Sequence, residues 1–305
     1  MAIVLTENTN VLVQGITGRE GQRATAAMRD YHTNVVCGVT PGKGGQNVDG
    51  VPVYDTIHEA LERHSEVNAS AIFVPPVAAK DAVLEAISHD IPLINILTER
   101  IPVRDTAYFL DTARERGTRI VGPASIGILS PGLGRIGMVG GPHVEKVYTP
   151  GSIGVISKSG GMTNETSWVI RQAGLGQSTV IAIGGDLLIG SNFKDLLELF
   201  EQDEQTKGVV MFGELGGTYE EEAAEFISSG GFTKPVAAFV GGKFATALPE
   251  GTPIGHAGAL IEGGKGGPEE KERILKDAGV LIAERFEELG HLIGEAVGES
   301  TAINT

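Results

Sequence analysis

Short β-branched runs closed by glycine or proline alternate along the chain with amphipathic stretches of helical period, and this alternation restricts the fold more than any other feature. Runs at 10–14, 34–39, 69–74, 92–97 and 119–121 enclose helical stretches at 21–31, 55–63, 78–89 and 104–116. Strand-helix-strand order predicts a parallel sheet with helices on both faces and ligands at the carboxyl ends of its strands. Residues 122–151, rich in Gly and Pro, show no clear period. The alternation then restarts, with strands at 152–157, 178–183, 208–212, 235–240 and 280–283 and helices at 163–173, 193–203, 218–228, 268–278 and 286–297. Two α/β domains in tandem are expected, at 1–130 and 151–305, joined by a linker at 131–150. The 305 residues suffice for two cores at about 100 to 200 residues per domain.

Composition narrows the partners. The 44 glycines are about twice the usual share of roughly 7%, which implies many tight turns or close backbone approaches to a ligand. A formal charge of −15 repels nucleic acid and anionic bilayers, so neither is an expected partner. Cys37 is alone and cannot form an internal disulfide, and the start MAIVLTENTN lacks the basic and apolar regions of a signal peptide. No apolar run reaches the ~18 residues that cross a membrane. A cytosolic protein is expected.

The run Val11-Leu12-Val13-Gln14 leads into Gly15-Ile16-Thr17-Gly18-Arg19-Glu20-Gly21 and then a helical stretch, the setting that a phosphate-binding turn needs. Its spacing is G-x-x-G-x-x-G, not the dinucleotide G-x-G-x-x-G. A NAD site also wants an acid about 20 positions on, to hold the ribose hydroxyls. Val39-Thr40-Pro41-Gly42-Lys43 offers none; Lys43 suits instead an extra phosphate, such as the 3′-phosphate of coenzyme A. The P-loop likeness of 38–44 fails because Gly44 stands where Ser or Thr would bind magnesium. A glycine turn that serves only helix-sheet packing is the plain alternative.

Of seven histidines, His32, His58, His64, His89 and His291 lie in or beside amphipathic helices and His143 lies in the linker, where solvated roles are the default. His256 differs: small neighbours in Gly255-His256-Ala257-Gly258-Ala259 leave its ring accessible. An imidazole attacks phosphorus through one neutral nitrogen, so a carboxylate must hold the proton on the other. Glu214, after the apolar run Val209-Val210-Met211-Phe212, should emerge at a strand's carboxyl end and is the candidate. Taken alone, the motif fits a structural glycine turn equally well. A phosphorylated imidazole also needs amide donors such as a helix N-terminus provides, and Ser159, Gly160 and Gly161 in Ser157-Lys158-Ser159-Gly160-Gly161-Met162-Thr163 are the candidates. A nucleophilic Ser159 would need G-x-S-x-G, and Ser157 stands at the first glycine position.

Six separated motifs, VLVQGITGREG (11–21), VTPGKGG (39–45), Leu97-Thr98-Glu99, Gly184-Gly185-Asp186, GELGG (213–217) and GHAGA (255–259), together resemble the alpha subunit of succinyl-CoA synthetase and its relatives. The resemblance runs in order over nearly the whole chain. It implies a Rossmann-like CoA-binding domain followed by a flavodoxin-like ligase domain. Thr17, Gly18, Arg19, Glu20, Lys43, Leu97, Thr98 and Glu99 would then line the coenzyme A site. It also implies phosphorylation of His256, no metal on this chain, and a beta subunit whose ATP-grasp domain binds ATP or GTP with Mg²⁺, in an alpha-beta or alpha2-beta2 assembly.

Three segments depart from the family's usual GPNCPG, SRSGTLTYE and TAP-x-GKRMGHAGA. This chain has Gly122-Pro123-Ala124-Ser125-Ile126-Gly127, Ser157 through Glu165 as SKSGGMTNE, and Ala245-Thr246 through Pro253-Ile254 before Gly255. These variants look like the corresponding parts of ATP-citrate lyase and citryl-CoA synthetase. Gly161 and Asn164, standing for Thr and Tyr, would remove bulk and add amide groups, giving room for a third carboxylate and a hydroxyl. Citrate is therefore the favoured acid and succinate the alternative. Because the chain ends at Thr305, a citrate enzyme would be a ligase, or its lyase part would be separate. A nicotinamide-dependent oxidoreductase and a non-enzymatic CoA-binding sensor are remote rivals; the first wants an acid after the second strand, and the second leaves His256, Glu214 and Ser159 without a purpose.

Overall fold

Residues 3–244, 256–259 and 266–299 are described by a computed structural model of the chain. The first sheet is built from β1 (Asn10–Gln14), α1 (Arg19–Asp30), β2 (Asn34–Val39), β3 (Asn47–Val48), β4 (Val51–Tyr54), α2 (Ile57–Leu61), β5 (Ala69–Ile72), α3 (Pro76–Ser88), β6 (Leu93–Ile96), α4 (Val103–Arg116) and β7 (Arg119–Val121). Its order is β3-β4-β2-β1-β5-β6-β7, parallel throughout except where β3 meets β4. Every residue of β5 and β6 is buried, as expected for strands covered by helices on both faces. From β1 the chain moves outward through β2 and then returns to the other side of β1 at β5, so the sheet's switch point lies between the ends of β1 and β5.

The second sheet comprises β8 (Gly127–Ser130), β9 (Gly134–Gly137), β10 (Pro150–Ser157), β11 (Gln177–Ala182), β12 (Gly208–Glu214), β13 (Val236–Gly241) and β14 (Leu281–Ile282), in the order β14-β13-β12-β10-β11-β8-β9. Between them lie α5 (Val144–Val147), α6 (Gly160–Gln172), α7 (Phe193–Gln202), α8 (Tyr219–Ser228) and α9 (Pro268–Asp277); a 3₁₀ turn (Phe286–Glu288) and α10 (Leu289–Val297) follow β14. The five strands from β14 to β11 are parallel, and their switch point falls between β10 and β12. Both sheets thus repeat one plan. Among the described residues no helix is long and apolar enough to cross a membrane.

Residues 127–137 differ from the expectation of a first-domain end and a featureless linker. They form the antiparallel hairpin β8–β9, which extends the second sheet beside β11. Glycine hides the hairpin from periodicity: Gly127 has φ +126°, and a Cβ there would sit 1.9 Å from the Ile136 carbonyl. The hairpin also fastens the two halves together. Buried Arg135 on β9 donates Nε and Nη2 to the Ala27 carbonyl in α1, at 2.9 and 2.8 Å, and Ser125 Oγ donates to the Ala182 carbonyl while accepting from Asn95 on β6. One apolar core therefore holds Val11 and Val13 of the first sheet together with Ile136 and Ile156 of the second.

Candidate active site

Both helices that follow the switch-point strands start earlier than the sequence predicts. α1 begins at Arg19 rather than residue 21, and α6 begins at Gly160 rather than residue 163. Glycines at these starts conceal them, since glycine is a poor helix former. The consequence is functional: Arg19, Glu20, Gly160 and Gly161 supply first-turn amides, which have no partner inside a helix. Gly18 caps α1 without a side chain. Ser159 caps α6, and its Oγ accepts from Met162 N at a long 3.5 Å.

Glu214 is the last residue of β12, and Ser157 ends β10 in register with Phe212, two residues short of Glu214. Lys158 N donates to the Phe212 carbonyl, so the Ser159 turn and Glu214 leave adjacent strands at one edge. Glu214 Oε2 lies 2.7 Å from Nδ1 of His256. Gly185 makes room for the ring, because a Cβ at 185 would meet the imidazole Cγ at 2.4 Å. Gly258 N donates to the Gly185 carbonyl and pins the histidine turn. The hydrogen bond with Glu214 holds the His256 pKa above its ordinary value against the opposing effect of burial; the charges of Glu214 and Glu99 add to it, and Lys158 lowers it. Asp186 is raised by burial and by Glu99, and His256 counteracts this. A cavity of about 210 Å³ opens beside Glu214 and His256, walled by Phe212, Leu215, Phe244 and Ala259.

A buried ionic cluster behind Glu214 escapes sequence reading. Glu220 in the first turn of α8 has no exposed surface; its Oε1 lies 3.3 Å from Lys158 Nζ, and its Oε2 accepts from Lys271 of α9 at 2.7 Å. Lys271 also donates to Glu221 Oε2 at 2.7 Å and to the Gly217 carbonyl at 2.9 Å. Burial pushes the Glu220 carboxyl up, but Lys158, Lys271 and hydrogen bonds outweigh this and hold it below the usual carboxylate range. Oε1 of Glu220 accepts from the backbone N–H of Glu214 at 3.0 Å. In sequence Lys271 lies 51 residues from Glu220, and charges so far apart read as solvated.

The remaining expected residues divide by location. Thr17 to Glu20, Lys43 and Leu97 to Glu99 follow β1, β2 and β6 along one edge of the first sheet. Thr98 Oγ1 donates to the Val74 carbonyl at 2.7 Å, fixing the turn after β6 against that after β5. Lys43 and Glu99 are exposed. Asp55, after β4, accepts from Gly44 N at 2.8 Å, so a carboxylate reaches the Lys43 loop from a strand the sequence reading overlooked. The charge of Glu99 raises the pKa of both Asp186 and His256. Gly160 packs on Ile126, whereas among the described residues nothing outside its own helix lies within 4 Å of a Cβ built at Gly161. Asn164 Oδ1 accepts from Tyr148 Oη at 2.7 Å and from Gly140 N at 3.0 Å, which commits its carbonyl to the 140–148 segment. The variant segment at 245–255, Gly255 included, lies outside the described residues.

Known proteins resemble this chain in sequence and fold. The CoA binding domain family matches residues 6–100, and the CoA-ligase family matches residues 156–288. The chain is 45% identical over 296 residues to the ADP-forming sulfoacetate-CoA ligase subunit SqwL of an Acholeplasma species, covering 97% of this chain and 98% of that one. It is 45% identical over 295 residues to the ADP-forming succinate–CoA ligase subunit alpha 2 of Archaeoglobus fulgidus, covering 97% and 99%. ATP citrate lyase from Methanothrix soehngenii, solved with citrate and coenzyme A, matches at a TM-score of 0.90 and 28% identity; 97% of this chain is covered, and it spans 50% of that one. With a CoA-binding domain ahead of a CoA-ligase domain, the chain belongs to the family of ADP-forming CoA-ligase alpha subunits.

Proposed function

We propose that this chain relays a phosphoryl group through Nε2 of His256 in a two-subunit acid–CoA ligase. The observation that carries the reading is the 2.7 Å contact between Glu214 and Nδ1. A carboxylate there holds the ring proton on Nδ1 and leaves Nε2 with a free lone pair. Phosphorus leaving a nucleotide on the partner bonds to Nε2 as its bond to the leaving oxygen breaks, and Glu214 stabilises the resulting charged ring. The amides of Gly160 and Gly161, with the α6 dipole, receive the phosphate oxygens. The group then passes to the acid's carboxylate. Attack of a thiol on the acyl carbon next expels phosphate and forms the thioester.

Coenzyme A fits the edge of the first sheet: α1 has no side-chain cap, so its first amides are open to phosphate, and exposed Lys43 supplies a cation. When bound there, it supplies the thiol. Thr17, Gly18, Arg19, Glu20, Lys43, Leu97, Thr98 and Glu99 hold and orient it, a reading in keeping with the influence of Glu99 on His256. The nucleotide, ATP in keeping with the relatives' ADP-forming names, and its Mg²⁺ belong to an ATP-grasp beta subunit. The single, buried Cys37 supports a reducing, cytoplasmic setting.

The acid is a short chain bearing a second anionic group, a class supported by relatives named for succinate and sulfoacetate. Citrate is a second reading, favoured by the open space at Gly161 and by the likeness to ATP citrate lyase. Asn164 contributes its amide hydrogens to either acid.

Incubation of the subunit pair with labelled ATP and Mg²⁺ tests the relay: base-stable, acid-labile label should appear on this chain and vanish in His256→Asn. Label that persists in the variant removes His256 from the mechanism. Comparing kcat/KM for succinate, sulfoacetate, citrate and malate fixes the acid; a clear succinate preference defeats citrate.

A further inference from the structure

Three elements converge behind Glu214, and one carboxylate touches them all. Glu220 Oε1 takes the N–H of Glu214 at the end of β12 and faces Lys158 in the turn between β10 and α6. Its Oε2 binds Lys271 in α9, the helix that follows the histidine segment. Gly216 N donates to the Gly266 carbonyl, a second tie between the Glu214 turn and the approach to α9. Lys271 also ties α9 to the Gly217 carbonyl and Glu221. Even Gly213 yields to this arrangement, since a Cβ there would lie 2.9 Å from Glu220 Oε1 and 3.0 Å from its Cγ.

Packing alone would be served as well by apolar side chains, which are often as stable as a buried ion cluster. What ions supply here is direction: Glu220 fixes a backbone N–H, and so the course of the peptide that presents the Glu214 carboxylate. We propose that Glu220, locked by Lys158 and Lys271, is a positioning residue that holds Glu214 in register with Nδ1 of His256 before any substrate binds. The role rests on the phosphohistidine reading. It makes the network the rigid support of the relay, because a reacting group displaced by about 1 Å can lose roughly a hundredfold in rate.

Two variants move this carboxylate without removing charge. Glu220→Asp retains the pairing with both lysines but draws the acceptor back from Glu214 N–H. Gly213→Ala pushes Glu220 aside with a Cβ. In the isolated full-length chain, NMR titration of the His256 ring reads the Glu214 contact directly. Among the described residues, the charged groups that act on the ring are Glu214 from β12, Glu99 from the turn after β6, Lys158 from the turn after β10 and Asp186 from the 184–186 turn. In both variants the His256 titration should fall toward the ordinary value of about 6.5. Labelling of His256 in the subunit pair should slow about tenfold or more. A folded variant with wild-type titration and wild-type labelling overturns the positioning role. Thermal melting establishes folding, and either variant suffices. His256→Asn, run alongside, keeps the two claims apart: label retained there overturns the relay itself, whereas the titration tests Glu220 with no partner present.

Discussion

The two sheets share a plan and a switch point yet furnish their edges in opposite ways. Along the edge of the first sheet the charged side chains are exposed: Lys43 is open to solvent, and the Arg23–Glu20 pair, at 3.3 Å, is 59% exposed on both sides. Behind the turn after β12, Glu220 and Lys271 are 0% exposed and Lys158 only 4%. A ligand that arrives and leaves can be held by amides and by a cation that stays hydrated. A group that must bond covalently, and let go again, needs its neighbours fixed beforehand. On the proposed function, exposed charge on the first edge serves capture, and buried charge on the second serves geometry.

That contrast is strongest in stability. Lys271→Met leaves Glu220 and Glu221 without their shared cation and should cost about 3 to 5 kcal/mol by denaturant titration. A cost near zero would mean that the buried cluster is no more organised than a surface pair. Next in size is Glu214→Gln, which should slow His256 labelling by about a hundredfold. It should also bring the acid limb of the pH–rate profile down, because the bond that raises the ring's pKa is gone. The linked stability has a fixed sign. A raised folded-state value means that the contribution is complete below the unfolded value of about 6.5 and disappears as pH rises through the folded value. The stability gap between wild type and Glu214→Gln should therefore be widest in mild acid and close in alkali.

The first edge gives smaller effects. Lys43→Ala should raise KM for coenzyme A about tenfold with kcat unchanged, as loss of one charge-assisted contact would. The difference should shrink in high salt, because the lysine is exposed. A fall in kcat instead would assign Lys43 to the chemistry and blur the contrast. Smallest of all, Arg23→Ala should change stability by less than about 1 kcal/mol.

Much of this was legible in sequence where a pattern repeats locally. Strands β1, β2 and β7 coincide with the β-branched runs at 10–14, 34–39 and 119–121, because periodicity reports burial along a single element. His256 and Glu214 stood out through their glycine-rich surroundings, and the structure joins them. The β8–β9 hairpin was invisible because glycines at 127, 132, 134 and 137 erase the alternation that marks a strand. The short β3–β4 pair offers too few residues to show a period. Lys158, Glu220 and Lys271 were missed for another reason: a charge buried by tertiary contact has the same letter as one in water. The one local hint was Gly213, a glycine whose need becomes plain only once Glu220 lies against it.

Glu214 occupies Nδ1 of His256, and Nε2 is the atom proposed to take the phosphoryl group. The direct measurement is phosphorus–nitrogen coupling by NMR in the ¹⁵N-histidine-labelled chain after phosphorylation by the complete complex. Phosphorus bonded to Nε2 of His256 is the result this account requires. Phosphorus on Nδ1, or on any other residue, contradicts it.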